Sequence, residues 1–226
     1  PDPTREAAWR ARLAPYYREF GIDPAGIPAG PGRQPFDAQA AGLVERFQPA
    51  VVSFHFGLPA DDLLARVKTT GAFVIASATT VAEARWLERR GVDAVIAQGL
   101  EAGGHRGHFL SDDLSEQLGT FALLPQVVRA VSRPVIAAGG IADARGVAAA
   151  MALGASAVQV GTAYLCCPEA TTSAVHRAAL GSEAARHTAL TTVFSGRPAR
   201  GIVNRAMREL GPLSAEAPAF PLATAA

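Results

Sequence analysis

Five short apolar runs recur along the chain and constrain its fold more than any other feature. Each run spans four mostly apolar residues without alternation of apolar and polar side chains, which is typical of strands buried on both faces of a parallel sheet. Most runs begin about 20 residues apart, which leaves room for one connecting helix. The runs begin at Val51, Phe73, Ala94, Pro134 and Ala157. We therefore expect an α/β fold built on parallel strands.

Amphipathic helical patterns lie between the runs. Thr80 is a predicted N-cap, and Glu83 three residues later completes the spacing of a capping box. Asp143 is positioned to cap a later helix. The helical patterns cover residues 61–68, 81–90, 121–131 and 144–153. Alternating strands and helices predict right-handed crossovers between parallel strands.

Glycine-containing loops follow the fourth and fifth runs. The stretch Ala137-Ala138-Gly139-Gly140-Ile141 precedes a capped helix, and Gln159-Val160-Gly161-Thr162 ends the fifth run. Glycine lets a ligand approach the backbone N–H groups closely. Consecutive loops of this kind form the phosphate site of (β/α)8 barrels, after the seventh and eighth strands. The alternative interpretation is that these glycines only make tight turns and bind no phosphate. This alternative explains two consecutive glycine loops less well than it explains one.

This placement predicts a (β/α)8 TIM barrel of which the chain holds only strands four to eight, together with flanking helical segments. In the C-terminal part, helical pieces are expected over residues 173–180 and 199–210. Residues 1–50 are expected to form a helical segment with a Gly/Pro-rich linker at 21–35. Residues 51–165 are expected to form the C-terminal part of the barrel, and residues 166–226 a C-terminal helical segment.

The stretch AQGLEAGGHRG follows the third run, and the gap to the fourth run is about twice the usual spacing. In α/β proteins, extra loop length after the end of a strand is where functional sites form. Gln98, at the strand end, can both donate and accept hydrogen bonds, which suits the edge of a heteroaromatic ring. Gly103 gives a ligand access without an intervening side chain. His105 is then a candidate general base near neutral pH.

The other polar residues near this stretch have less specific interpretations. A lone histidine is more often a surface or hydrogen-bonded structural group, so the interpretation of His105 depends on its place in this loop. His108 is a weaker candidate, and we expect a core or supporting role for His55. Glu101 and Arg106 are expected to serve loop solvation or a local ion pair.

Composition limits the other classes of partner. A formal net charge of +1 gives no reason to expect nucleic acid or an anionic membrane. Cys166 and Cys167 are adjacent and poorly placed to bridge, which indicates a reducing, cytoplasmic compartment. Asp143, Arg145 and Gln159 interrupt the Ala-rich stretch, so no membrane span is expected. No His or Cys cluster has the spacing of a metal site, and no metal is expected.

Three motifs occur in this order: AQGLEAGGHRG, PVIAAGGIADARG and GASAVQVGTAYL. Their order and spacing resemble those of the nitronate monooxygenases, formerly called 2-nitropropane dioxygenases. VVSFHFGLP and FSGRPARGIVNR resemble the same family, so the resemblance covers residues 51–208. It implies an FMN-binding TIM barrel with an added helical segment. The family oxidises nitronates, notably propionate 3-nitronate, with its flavin and O2, and releases nitrite and a carbonyl compound without NAD(P)H.

The resemblance also implies roles for individual residues. His105 matches the catalytic histidine of the family, the base that takes the α-proton from a neutral nitroalkane and that orients or protonates an alkyl nitronate. The implied partners are a small nitronate and O2, and a homodimer stays open. FMN contacts are implied at Gln98, Gly103, Gly140, Gln159, Val160, Gly161 and Thr162, with Gly139 as their neighbour in the phosphate loop.

The chain departs from the family pattern near its start. The first strand of the family, with its Ala-Pro-Met stretch against the flavin, is absent, and so is the Asn-containing segment of an early strand. Five barrel strands alone leave two bare sheet edges. We therefore expect this chain by itself to bind FMN poorly or to aggregate, and we expect the natural gene product to extend further at both ends.

Two other functions stay open. The FMN-dependent enoyl-acyl-carrier-protein reductases of bacteria share the GGH, AAGGI and QVGT loops, but they take hydride from NAD(P)H. The Ala-Gln-Gly that precedes the GGH loop here resembles the nitronate enzymes more. A non-catalytic barrel that binds a phosphate ligand, or an inactive fragment, is the alternative from another class.

Overall fold

The computed structural model of the protein describes residues 2–27 and 34–225. The described residues fall into two compact units, one within Pro35–Thr172 and one that combines the N-terminal segment up to Gln34 with the segment from Ser173 onward. The first unit includes a helix before residue 51 and continues beyond residue 165, so its bounds differ from those of the expected barrel segment. Part of the expected Gly/Pro-rich linker, residues 28–33, lies outside the described residues.

Each of the five apolar runs contains a strand, and helices lie between these strands as predicted. The helices are α1 (Pro3–Glu19), α2 (Ala38–Phe47), α3 (Asp61–Thr69), α4 (Val81–Arg89), α5 (Thr120–Ala130), α6 (Ala144–Ala152), α7 (Ala174–Leu180) and α8 (Arg205–Leu210). The strands are β1 (Val51–Phe54), β2 (Phe73–Ala78), β3 (Ala94–Gln98), β4 (Gly104–His105), β5 (Val135–Ala138), β6 (Ala157–Gln159), β7 (Thr188–Thr191) and β8 (Ala199–Ile202). Of these, β4, β7 and β8 have no predicted counterpart.

One parallel sheet organises the unit of residues 35–172. Its strands lie in the order β1-β2-β3-β5-β6, with Ile96 of β3 opposite Ile136 of β5 in the register. The central strand β3 is buried along its whole length, whereas β1 and β6 at the two edges are largely exposed. Sequential parallel strands of this kind are those of part of a (β/α)8 barrel, which confirms the predicted fold class.

The start of α4 realises only half of the predicted capping box. Thr80 caps the helix, because its hydroxyl accepts a hydrogen bond from Glu83 N at 3.2 Å. The Glu83 carboxylate does not complete the box with Thr80 N; it accepts from Thr79 N at 2.6 Å and from the Thr79 hydroxyl at 2.8 Å. Glu83 is buried with the core residues of α4, so its carboxylate serves a buried polar network instead of the helix end.

The second unit contains α1, α7, α8 and an antiparallel pair of strands. Asp2 caps α1 by accepting from Arg5 N at 3.1 Å, and the helix buries Trp9 against Val193. Strand β7 pairs with β8. The helix predicted over residues 173–180 is confirmed as α7. The prediction for residues 199–210 is wrong in its first part, because residues 199–202 form β8 and the helix begins only at Arg205.

Within the described residues, no helix is both long enough and apolar enough to cross a membrane.

Candidate active site

A cavity of about 240 Å³ lies at the C-terminal ends of β3, β5 and β6. Seven of the eight predicted cofactor contacts line it, and Val160 is the exception, since its side chain packs against the hydrophobic core. The strand ends and the loops that follow them therefore converge as predicted, while contact with a cofactor stays a prediction. The lining residues are Gln98, Glu101, Ala102, Gly103, Ala138, Gly139, Gly140, Ile141, Ala142, Gln159, Gly161, Thr162 and Ala163.

Glycine is required where the loops around the cavity approach one another. Gly139 has a φ of +121°, and a Cβ atom there would lie 2.7 Å from the Thr120 hydroxyl oxygen. A Cβ atom at Gly103 would lie 2.7 Å from the Thr162 hydroxyl oxygen. A Cβ atom at Gly161, in contrast, would meet nothing within 4 Å. The backbone at Gly161 thus borders open space, as a ligand-binding loop requires.

Gln98 closes β3 and holds the loop that carries His105. Its Nε2 donates to the His105 carbonyl at 3.0 Å, and its Oε1 accepts from Gly107 N at 2.8 Å. Both ends of the carboxamide therefore bind loop backbone. The amide has a second N–H and further lone pairs, so the predicted contact with a ring edge stays a prediction, whereas the role in shaping the loop is visible in the structure.

Burial contradicts part of the expectation for Arg106. Its side chain is 0% exposed, so it does not solvate the loop, and a local ion pair stays a prediction. The guanidinium donates to the carbonyls of Gln98 at 3.0 Å and Gly99 at 2.7 Å, and to Gln117 Oε1 at 2.8 Å. A planar group with five N–H donors fits several acceptors at once. Arg106 is thus a buried structural cation beneath the loop.

Two carboxylates bind backbone N–H groups around the site. Both oxygens of Glu101, which lines the cavity, lie 2.9 Å from Thr120 N at the start of α5, where a negative charge complements the helix dipole. Glu83 accepts from Phe109 N at 2.6 Å and from Leu110 N at 3.2 Å. No local pattern in the sequence predicts the Glu101 contact, whereas the position of Glu83 on the buried face of α4 was a usable signal.

The structure brings His55 close to His105. The Nε2 atom of His55 lies 3.3 Å from the His105 carbonyl, and its Nδ1 lies 3.0 Å from the Ser77 hydroxyl. Because a carbonyl only accepts, this geometry assigns the proton to Nε2 of His55. Between the two histidines, Phe56 meets the His105 ring edge to face at a centroid distance of 5.9 Å. His55 therefore supports the backbone of His105, which agrees with the supporting role expected for it.

His105 itself is half-buried on β4 and does not line the cavity described above. Gln98 joins the two features, because it lines the cavity and also binds the His105 backbone. His108, the weaker candidate, is buried, with its Nε2 3.6 Å from an oxygen of Asp112. This contact points to a structural role for His108.

The fold and this site define a class before they define a family: an α/β-barrel protein whose strand ends carry glycine loops suited to a phosphate-bearing ligand. The family follows from comparison with known proteins. A family profile described as nitronate monooxygenase matches residues 8–225. The chain belongs to the nitronate monooxygenase family, as its motifs predicted. The family comprises flavin-dependent oxidoreductases.

Individual relatives agree with this assignment. The chain is 45% identical to a nitronate monooxygenase of Paraburkholderia phytofirmans over 98% of its length and 61% of that protein. It is also 45% identical to a nitronate monooxygenase of Pseudomonas aeruginosa over 90% of its length and 58% of that protein. The chain therefore spans about three fifths of the length of these two relatives.

Solved structures show the same fold. A nitroalkane oxidase from Streptomyces ansochromogenes superposes with a TM-score of 0.87 at 38% identity, covering 100% of this chain and 64% of that one. FabK from Thermotoga maritima superposes with a TM-score of 0.67 at 36% identity, covering 78% of this chain and 54% of that one. The nitroalkane oxidase thus matches a larger share of the chain than FabK does.

Proposed function

We propose that this chain forms the larger part of an FMN-dependent enzyme that oxidises alkyl nitronates of the propionate 3-nitronate type with O2, releasing nitrite and a carbonyl compound. The observation that carries the proposal is the convergence of two glycine loops with the strand end that holds the His105 loop. The relatives named nitronate monooxygenase and the nitroalkane oxidase structure support it. A small nitronate and O2 are then the partners, and the expected cytoplasmic location belongs to the same proposal.

The residues around the cavity fit a flavin mononucleotide. Gly139 approaches Thr120 too closely for any side chain, and the backbone at Gly161 borders open space. Backbone N–H groups and the Thr162 hydroxyl at these loops provide the donors that a phosphate needs. We assign Gly139, Gly140, Gly161 and Thr162 to the phosphate, and Gln98, Gly103 and Gln159 to the remainder of the cofactor. Val160, whose side chain packs against the core, could contact the cofactor only through its backbone. When bound, FMN would supply the electron acceptor for the nitronate and the means to reduce O2.

The chemical role of the chain rests on His105. A neutral imidazole can take the α-proton from a neutral nitroalkane. A nitronate has already lost that proton, so towards a nitronate His105 would orient the anion or return a proton to it. Gln98 and His55 bind the carbonyl of His105 and so limit the movement of its backbone.

Oxygen uptake by flavin-loaded protein of the full length of its relatives, with propionate 3-nitronate and without NAD(P)H, tests this proposal. We expect rapid uptake with release of nitrite, and loss of most of the activity in His105→Asn. Bound flavin without uptake would contradict the proposal. In that case, NAD(P)H-dependent reduction of an enoyl thioester would identify the reductase alternative, whereas absence of both reactions would favour a non-catalytic barrel. Light scattering on the same sample tests for the homodimer.

A further inference from the structure

The side chains of Gln98 and Arg106 each bind backbone groups at or beside the other residue, and we call this arrangement the clasp. The Gln98 side chain binds His105 O and Gly107 N, the two residues on either side of Arg106. The Arg106 side chain in turn binds the carbonyls of Gln98 and Gly99. The end of β3 and the His105 loop are therefore joined by four hydrogen bonds across the clasp.

The clasp is buried, which makes its loss costly. Arg106 is completely buried and Gln98 nearly so. If the guanidinium is removed, the carbonyls of Gln98 and Gly99 both lose a charged donor. Gly99 O keeps the hydrogen bond from Ala102 N at 3.1 Å, so the main cost falls on Gln98 O, because a buried acceptor is expensive to deprive of a donor. Gln117 completes the arrangement, because its Oε1 accepts from Arg106 Nε at 2.8 Å and so fixes the guanidinium plane.

We propose that Arg106 is a positioning residue that sets the location of His105 through this clasp. Arg106 has no exposed surface with which to contact a substrate, so it acts through the backbone. Displacement of a catalytic group by about 1 Å can cost on the order of a hundredfold in rate. The clasp is thus expected to matter for turnover beyond its contribution to stability. This inference rests on the proposed role of His105.

The test compares two variants of the clasp with one control in flavin-loaded protein of the full length of the relatives. Arg106→Met removes the guanidinium but keeps an unbranched side chain. Gln117→Met is milder, because it removes only the acceptor of Arg106 Nε, and Gln117 Nε2 has no hydrogen-bond partner among the described residues. Val67→Ala, in the core face of α3, is the control that lowers stability without touching the clasp.

Two readouts are taken at equal fractions of folded protein. The first is kcat and KM for propionate 3-nitronate. The second is the ring resonance of His105 in protein labelled with ¹⁵N-histidine, assigned by its loss in His105→Asn. For Arg106→Met we expect kcat to fall about tenfold or more with little change in KM, and the His105 resonance to move. For Gln117→Met we expect smaller changes in the same direction.

Val67→Ala is expected to lower the melting temperature and leave both readouts unchanged. If the clasp variants behave like this control, Arg106 has only a structural role and the proposal is wrong. If Arg106→Met does not fold, Gln117→Met decides in the same way. If the wild-type protein does not oxidise nitronate, the proposed function fails, but the His105 resonance still decides whether the clasp positions that residue.

Discussion

At the scale of single residues, the carbonyl of His105 joins two predicted residues, because the side chains of Gln98 and His55 both bind it. These contacts join residues that are distant in sequence. Motif position identified Gln98 and His105 as candidates, since a polar residue at a strand end is conspicuous. It gave no indication that Arg106 is buried, because an arginine in a loop is ordinarily solvated and only the folded carbonyl positions reveal its partners.

His105→Asn tests the assigned base. Asparagine keeps a polar side chain of similar size but cannot act as a base at neutral pH. We expect kcat/KM for a neutral nitroalkane to fall by about a hundredfold or more, and the value for its pre-formed nitronate to fall less. Oxygen uptake is measured with the neutral nitroalkane and with its pre-formed nitronate, and the losses of kcat/KM for the two forms are compared. Equal losses for the two forms would show that His105 does not remove the α-proton.

Gly139→Ala tests the close approach of the two loops at the cavity. A methyl group at φ +121°, 2.7 Å from the Thr120 hydroxyl, should destabilise the protein by about 1–3 kcal/mol and weaken FMN binding. Gly42→Ala in α2 is the matched control, because its Cβ would lie 3.9 Å from the nearest atom, Arg66 Nη2, and alanine favours helix. Thermal unfolding and flavin fluorescence report the two effects. Equal FMN affinity in both variants would contradict the assignment of Gly139 to the phosphate site.

At the scale of elements, the inner strands β2, β3 and β5 are buried as their apolar runs predict, because burial on both faces leaves a pattern that needs no partner to be recognised. The same prediction is wrong for β1 and β6, which lie at the edges of the sheet and are largely exposed. Strand β8 was missed for a different reason. Residues 199–202 read Ala-Arg-Gly-Ile, a sequence with little β preference, and their extended form depends on pairing with β7. Tertiary pairing of this kind overrides local propensity.

Glu83→Gln tests whether the Glu83 carboxylate on α4 stabilises the loop after His105. The carboxylate accepts from four donors, those of Thr79 N, Thr79 Oγ1, Phe109 N and Leu110 N. An amide would turn an NH2 group towards some of these donors. We expect a loss of about 2–4 kcal/mol of stability and faster amide hydrogen exchange at residues 109 and 110. Glu116→Gln, at an exposed position, is the control and should change stability by less than about 0.5 kcal/mol. Similar losses of stability in the two variants would show that Glu83 does not stabilise the loop.

At the scale of the whole molecule, the sheet of the described barrel unit ends in β1 and β6, and apolar side chains are exposed there. Val51 on β1 is 51% exposed. Exposed apolar strand edges favour pairing with other chains. The same reasoning predicted from the sequence that the isolated chain binds FMN poorly or aggregates. This prediction follows from the number of barrel strands more than from any single residue.

The isolated 226-residue chain is therefore expected to self-associate and to bind FMN more weakly than a protein of the full length of its relatives. Val51→Lys should reduce the association, because a lysine at an edge opposes strand pairing. Val175→Lys on α7, also at an exposed position, should have little effect. Sedimentation velocity compares the three proteins. A monodisperse chain that binds stoichiometric FMN would contradict this expectation.

We propose above all that one site binds a flavin and delivers electrons to it from a nitronate. The decisive measurement is anaerobic mixing of propionate 3-nitronate with flavin-loaded protein of the full length of the relatives, followed by the visible absorbance of the flavin. We expect rapid bleaching by the nitronate, slower bleaching in Arg106→Met, and no requirement for NAD(P)H. Bleaching by NAD(P)H but not by the nitronate would contradict this proposal.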